Sequence, residues 1–175
     1  MRFLTAFRLL LLGLWLGAAV FFVVMAQNAF AVLPTHELAG TLINRTLAIL
    51  EYGGLGAGFV LVLTSLIVPA GTNIALLWIE RTLLVIFALG CAVGQFVISW
   101  WTLMIRTQMG RPIDEVAADD PLRIQFNQLH QYSEWVMITA MSAALLAFVI
   151  ISLRKAPAPK KTGLGDFDFQ KQFKI

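Results

Sequence analysis

Long apolar runs separated by short polar interruptions dominate the chain. Four windows, residues 9–33, 52–70, 82–105 and 135–153, are each close to the length needed to cross a bilayer, since a spanning helix takes about 20 mainly apolar residues at about 1.5 Å rise each. Between the first two windows, Leu38, Leu42, Ile43, Leu47 and Leu50 fall on one side of a helix, with Glu37, Thr41, Asn44 and Arg45 on the other. That periodicity predicts an amphipathic helix over 35–50 leading into the second span. Pro34 breaks the chain before it and Thr35 is a candidate cap. The last helix is expected to begin well before its span, because Asp120 suits an N-cap and Pro121 the first helical position. Gly110 and Pro112 mark the turn ahead of it, and Pro69-Ala70-Gly71-Thr72-Asn73 reads as a tight turn joining spans two and three. The pattern therefore predicts an all-α protein, an integral membrane four-helix bundle with amphipathic outer helical extensions. Residues 1–153 form its transmembrane domain and 154–175 a cytoplasmic linker and aromatic tail.

Composition changes this picture little. Apolar residues make up 59% of the 175 and charged residues 13%, and the mean hydropathy is +0.80, whereas soluble domains are about 45–50% apolar and about 25% charged. Lipid must be the solvent for most of these side chains. One Cys excludes a disulfide framework, and no Cys/His pairs stand at zinc spacing. The net charge of +3 gives no ground for nucleic acid as a partner.

Charge does set an orientation. With the N-terminus inside, the inner side holds Arg2, Arg8, Arg81, Arg154, Lys155, Lys160, Lys161, Lys171 and Lys174, against Arg45, Arg106, Arg111 and Arg123 outside. Basic residues favour cytoplasmic flanks, so both termini are expected in the cytoplasm, with a bacterial inner membrane as the host. The first window also has features of a signal peptide, a basic start and a small-x-small Ala29-Phe30-Ala31. It is longer than a normal signal core, and it reads as a retained span.

Gly13 with Gly17, Gly54 with Gly58, Gly90 with Gly94, and Ala140 with Ala144 are small pairs four residues apart. Such pairs let helix backbones approach closely in lipid, within one bundle or between two copies. Cys91, Gln95, Ser99 and Thr102 share a face of span three, and Gln95, near mid-membrane, calls for an interhelical partner. Glu80-Arg81 reads as an interfacial anchor rather than a buried ion pair.

Candidate chemistry concentrates on the last helix. Arg123, Asn127, His130 and Glu134 recur at steps of four, three and four, and the face continues as Met137 and Met141. His36, the other histidine, is expected on the same outer side. Imidazole and thioether groups suit soft metals, so His36, His130, Glu134, Met137 and Met141 form a candidate metal set for copper, with haem on the two histidines a further option. A polar network closing the outer end of the bundle, or a solute or proton site, fits the same residues. No catalytic motif of a hydrolase, nucleotide-binding or zinc-protease kind is present, so no enzyme activity is expected.

Several strings carry a resemblance: Gly13-Leu14-Trp15-Leu16-Gly17 followed by Phe21-Phe22, Leu33-Pro34, Glu37-Leu38-Ala39-Gly40, and Pro121-x-Arg123-x-x-Phe126-x-x-Leu129-His130-x-x-Ser133. Together they resemble the four-span membrane family of domain of unknown function 4149, similar to transmembrane protein 205. The resemblance covers about residues 9–153 and implies a four-helix membrane domain. A more distant likeness to copper-resistance membrane proteins keeps copper handling open. Where the family often has a proline near the end of span one, this chain has Ala26-Gln27-Asn28-Ala29-Phe30, and where an Asn is common after the Ser it has Glu134-Trp135.

After residue 153 a Pro/Lys linker leads to a tail in which Phe167, Phe169, Phe173 and Ile175 are spaced by even steps. Such alternation suits a partner's groove or sheet edge; a basic tail lying along anionic lipid is the alternative. The glycine pairs, the missing catalytic motif and this tail point to a non-catalytic accessory or assembly subunit that docks onto a larger inner-membrane complex. Its partners would be the lipid bilayer and other membrane-protein subunits or a second copy. The competing expectation is a small transporter or a copper-handling membrane protein.

Overall fold

A computed structural model describes residues 2–67 and 73–154. Among these residues, four continuous helical stretches are long and apolar enough to cross a membrane, and the protein is an integral membrane protein of all-α architecture. Helix α1 covers Arg2–Val32, α2 His36–Leu66, α3 Ile74–Ala92, α4 Ser99–Met109 and α5 Pro121–Ser152. A π-helical segment, Val93–Ile98, joins α3 to α4 so that the two form one span, and a short 3-10 turn at Ile113–Glu115 precedes α5.

The helices outrun the apolar windows. At 31 residues, α1 is about 46 Å long, well beyond the roughly 30 Å of hydrocarbon in a bilayer. Hydropathy registers only the lipid-facing part, whereas backbone hydrogen bonding continues into the interface until a cap stops it. The predicted amphipathic helix is accordingly the first half of α2, with no break before the span. Its N-cap is Thr35, whose hydroxyl accepts from the Leu38 amide. Asp120 caps α5 by accepting from the Leu122 amide, with Pro121 at the first position. Gly110 ends α4 in the left-handed region at φ 61°. Of the turn expected at 69–73, only Asn73 is described; it caps α3 through the Ala75 amide.

In the bundle, α1 packs against α2 and α5, and α3 against the same two, so α1 and α3 face each other diagonally. Trp15 and Phe87 meet edge-on across that diagonal at 4.6 Å between centroids. Trp15 Nε1 donates to the Leu50 carbonyl at 3.0 Å. Leu12, Ala19, Leu61, Leu84, Ala144 and Ala147 complete a core closed to solvent.

Close approach explains which small residues matter. A Cβ on Gly54 would stand 2.5 Å from Cys91 Sγ and 2.6 Å from Trp15 Nε1, one on Gly58 2.8 Å from the Ala88 Cβ, and one on Gly90 3.0 Å from the Ala140 Cβ. These three glycines hold α2 and α5 against α3. Gly17, by contrast, has nothing within 4 Å of such a Cβ.

One expectation is corrected here. Glu80 is not an interfacial anchor: it is fully buried and ion-paired to Arg8 of α1, at 2.5 Å, and to Arg154 just beyond α5. Arg81 turns aside to donate to the Ser65 carbonyl at 3.0 Å. Local sequence shows Glu80-Arg81 as a charged pair, but folding brings a cation from the first helix and one from just past the last to the same carboxylate. The linker and tail, including Phe167, Phe169, Phe173 and Ile175, lie outside the described residues.

Candidate functional site

In the half of the bundle away from Glu80, the helices separate around a cavity of about 730 Å³. Its walls are mostly apolar, Phe22, Phe30, Ile43 and Leu47 among them, with polar groups set between. From α1 comes Gln27, from α2 Asn44, and from the π segment and α4 come Gln95, Ser99, Thr102 and Arg106. Helix α5 contributes His130, Ser133, Glu134, Met137 and Met141. A mainly apolar pocket of this size with a few placed polar groups is the usual form of an organic-ligand site.

The part of the predicted α5 stripe from His130 to Met141 therefore faces a common space, whereas Asn127 is exposed and does not line it. His130 Nε2 lies 3.4 Å from Glu134 Oε1, and both side chains are more than half exposed at the rim. Met137 and Met141 lie deeper on the same wall. Arg123 does not join them; its Nη1 donates to the Val116 carbonyl and ties α5 to the preceding loop. His36 also stands apart, with Nδ1 3.0 Å from Asp114 Oδ1 and its ring 6.0 Å from Phe30. Of the five candidate metal residues, four line the cavity and His36 does not. Among the described residues, no three His, Cys, Asp or Glu side chains converge as a ligand set.

Arg106 organises the rim. Its guanidinium faces the Glu37 carboxylate with two N to O distances of 3.4 Å, and it lies 5.6 Å from the Phe126 ring centroid. Gly40 leaves room for it, because a Cβ there would stand 3.0 Å from Arg106 Nη2.

Behind the cavity wall, next to Gln95, lies the feature least visible in sequence. The π segment starts beside Gly94, and Glu51 of α2 occupies the space a side chain there would take: a Cβ on Gly94 would land on Glu51 Oε1 and 2.8 Å from Cδ. Glu51 is 3% exposed, and its Oε2 has no hydrogen-bond partner. The apolar window placed this acid outside the second span, yet it sits inside the bundle, where ionisable groups are costly and usually functional. The legible signal was Leu47, Glu51, Gly54 and Gly58, steps of four, three and four that put the carboxyl on the close-packing face. Beside it, Gln95 Nε2 donates to the Tyr52 hydroxyl at 3.3 Å, while Gln95 Oε1 is buried without a partner. The expected interhelical bond of Gln95 thus exists and accounts for half of its amide. Of the stripe predicted with it, Ser99 and Thr102 line the cavity with Gln95, whereas Cys91 is buried against α2. A π turn inserts one residue into the helical repeat, and here it divides that stripe.

A family described as Domain of unknown function (DUF4149) matches residues 10–111. The chain belongs to this family. The DUF4149 match takes in most of α1, all of α2 and α3, the π segment and α4, and so contains Glu51, Gly94, Gln95 and Arg106. It ends before α5, leaving His130, Glu134, Met137 and Met141 outside the matched residues. No curated protein and no solved structure matches the chain.

Proposed function

We propose that this DUF4149 protein is a small membrane carrier or transporter, and that its solute site is the cavity bounded by α1, α2, α4, α5 and the π segment. The observation that carries the reading is the cavity itself, about 730 Å³ of mostly apolar space floored by Gln95 and bordered by His130, Glu134 and Arg106. That volume suits a compact organic molecule with one polar end rather than a bare ion. The unpartnered oxygen of Gln95 at the floor, with that of the buried Glu51 behind it, is the kind of group that a solute or a proton relay uses. The bias in basic residues supports cytoplasmic termini, and in that orientation the cavity opens towards the outer side.

Replacing Ser133 on the cavity wall by Trp fills the space without touching the core at Trp15 and Phe87. Reconstituted Ser133→Trp protein should fold and lose retention of apolar solutes that the native protein keeps in an unbiased mass-spectrometric screen. Equal solute profiles for native and Ser133→Trp protein sink the reading. Copper added in the same screen tests the metal alternative, which requires binding that depends on His130, Met137 and Met141.

The second reading, an accessory subunit docked onto a larger complex, draws on glycines that face outward. A Cβ on Gly17, Gly53 or Gly56 would meet nothing within 4 Å, which leaves backbone on α1 and α2 open to another helix. A cross-linker placed at Gly17→Cys in native membranes that captures only lipid counts against it.

A further inference from the structure

The opposite end of the bundle carries an imbalance of charge that the cavity does not use. Arg8, Arg81 and Arg154 gather near Glu80, so three guanidinium groups stand close to one carboxylate, which pairs with two of them. Glu80 is fully buried and takes both Arg8 and Arg154 as ion-pair partners. Arg81 is satisfied on one nitrogen by the Ser65 carbonyl. The Nε atoms of Arg8, Arg81 and Arg154 are nevertheless buried without a hydrogen-bond acceptor, and Arg8 is only 4% exposed. Burial pulls the Arg154 guanidinium below its usual value; Glu80 opposes this, and the charges of Arg8 and Arg81 add to the fall. Excess cations held this close repel one another at a cost that a further anion would remove.

The position fits a bilayer surface. Arg154 lies just past the end of α5, and the exposed Trp78, two residues before Glu80, is the residue type that favours the membrane–water boundary. Basic pockets between spanning helices at that level suit phosphate-bearing headgroups, and guanidinium is the side chain best shaped to grip phosphate oxygens.

We propose that Arg8, Arg81 and Arg154, assembled around Glu80, form a binding site for a phosphate anion, supplied by the headgroup of an anionic lipid or by free phosphate. Glu80 holds Arg8 and Arg154 in place and leaves a surplus of positive charge for the ligand. The site is separate from the cavity, and its success or failure does not bear on the solute reading.

Native mass spectrometry of the full-length protein in detergent tests it, with phosphatidylglycerol, phosphatidylcholine and inorganic phosphate as probes. Phosphatidylglycerol should be retained in preference to phosphatidylcholine, and the preference should fall about fivefold for each guanidinium removed. Arg154→Gln removes one ion pair, whereas Arg81→Gln leaves both pairs to Glu80 intact and so keeps the test valid if the first variant fails to fold. Arg45→Gln makes the same charge change on the exposed face of α2 near the other end and should leave the preference unaltered. Retention of phosphatidylglycerol that excess phosphate does not displace identifies the lipid as the source. Displacement by phosphate, with the same dependence on Arg81 and Arg154, identifies free phosphate. The proposal is overturned if neither probe is preferred over phosphatidylcholine, if Arg81→Gln binds as the native chain does, or if Arg45→Gln loses as much.

Discussion

Replacing Gly94 by Ala tests whether Glu51 is held where the geometry puts it. The new Cβ would coincide with Glu51 Oε1 and stand 2.8 Å from Cδ, so the carboxylate must move. It is buried on all sides, and its neighbours Cys91 and Gln95 stand on well-packed helix backbone. Forcing an extra carbon into such a place costs about 1–3 kcal/mol. Alanine also gains up to about 1 kcal/mol over glycine in helix propensity, which would hide part of the cost. Gly17→Ala isolates that gain, because nothing lies within 4 Å of its Cβ. The clash is then the difference between the two variants, and at about 2–4 °C per kcal/mol for a chain of this size it amounts to about 2–12 °C in Tm. Thermal unfolding in detergent reads it. A double-mutant cycle assigns it to Glu51: Glu51→Ala should relieve most of the Gly94→Ala penalty, giving a coupling of about 1 kcal/mol or more. If Gly94→Ala melts with Gly17→Ala, or if the two changes at 51 and 94 simply add, the carboxylate does not occupy the Gly94 notch and the account of Glu51 fails.

Other outcomes follow from single contacts. Glu80→Ala leaves Arg8 and Arg154 facing each other in a buried place and should cost about 3–5 kcal/mol, seen as a large drop in Tm; a change under 1 kcal/mol would mean the cluster is hydrated. His36→Ala removes an exposed contact with Asp114 and a tilted one with the Phe30 ring and should change stability by less than about 1 kcal/mol, with no effect on solute retention, whereas His130→Ala should alter retention. Trp15→Phe loses the hydrogen bond to the Leu50 carbonyl but keeps the ring against Phe87, for a loss of about 1 kcal/mol in unfolding experiments. Gly110→Ala, at a positive φ, should destabilise by about 1–2 kcal/mol, and a Tm at or above the native value would contradict the left-handed turn.

The order of residues by itself determined the medium, the number of spans and the places where α2 and α5 begin. Those are local properties: an apolar run of sufficient length has no stable place but lipid, Thr35 and Asp120 accept from amides within three residues, and Pro121 fixes its own φ. It also put His130, Glu134, Met137 and Met141 on one face, because helical periodicity is local too. Which faces meet was decided only by tertiary packing. Gly54, Gly58, Gly90 and Gly94 turned inward and Gly17 outward, although the pairs look alike in sequence. Packing left His36 with Asp114 and outside the cavity that His130 lines, and it moved Glu51 and Glu80 from supposed surface positions to the interior, Glu80 at one end and Glu51 midway along α2. Glu80 needs Arg8 and Arg154, 72 and 74 residues distant along the chain, and Glu51 needs the notch at Gly94 on another helix. The energy of a buried charge depends on what surrounds it in space, and no pattern along the chain specifies that until the helices have packed.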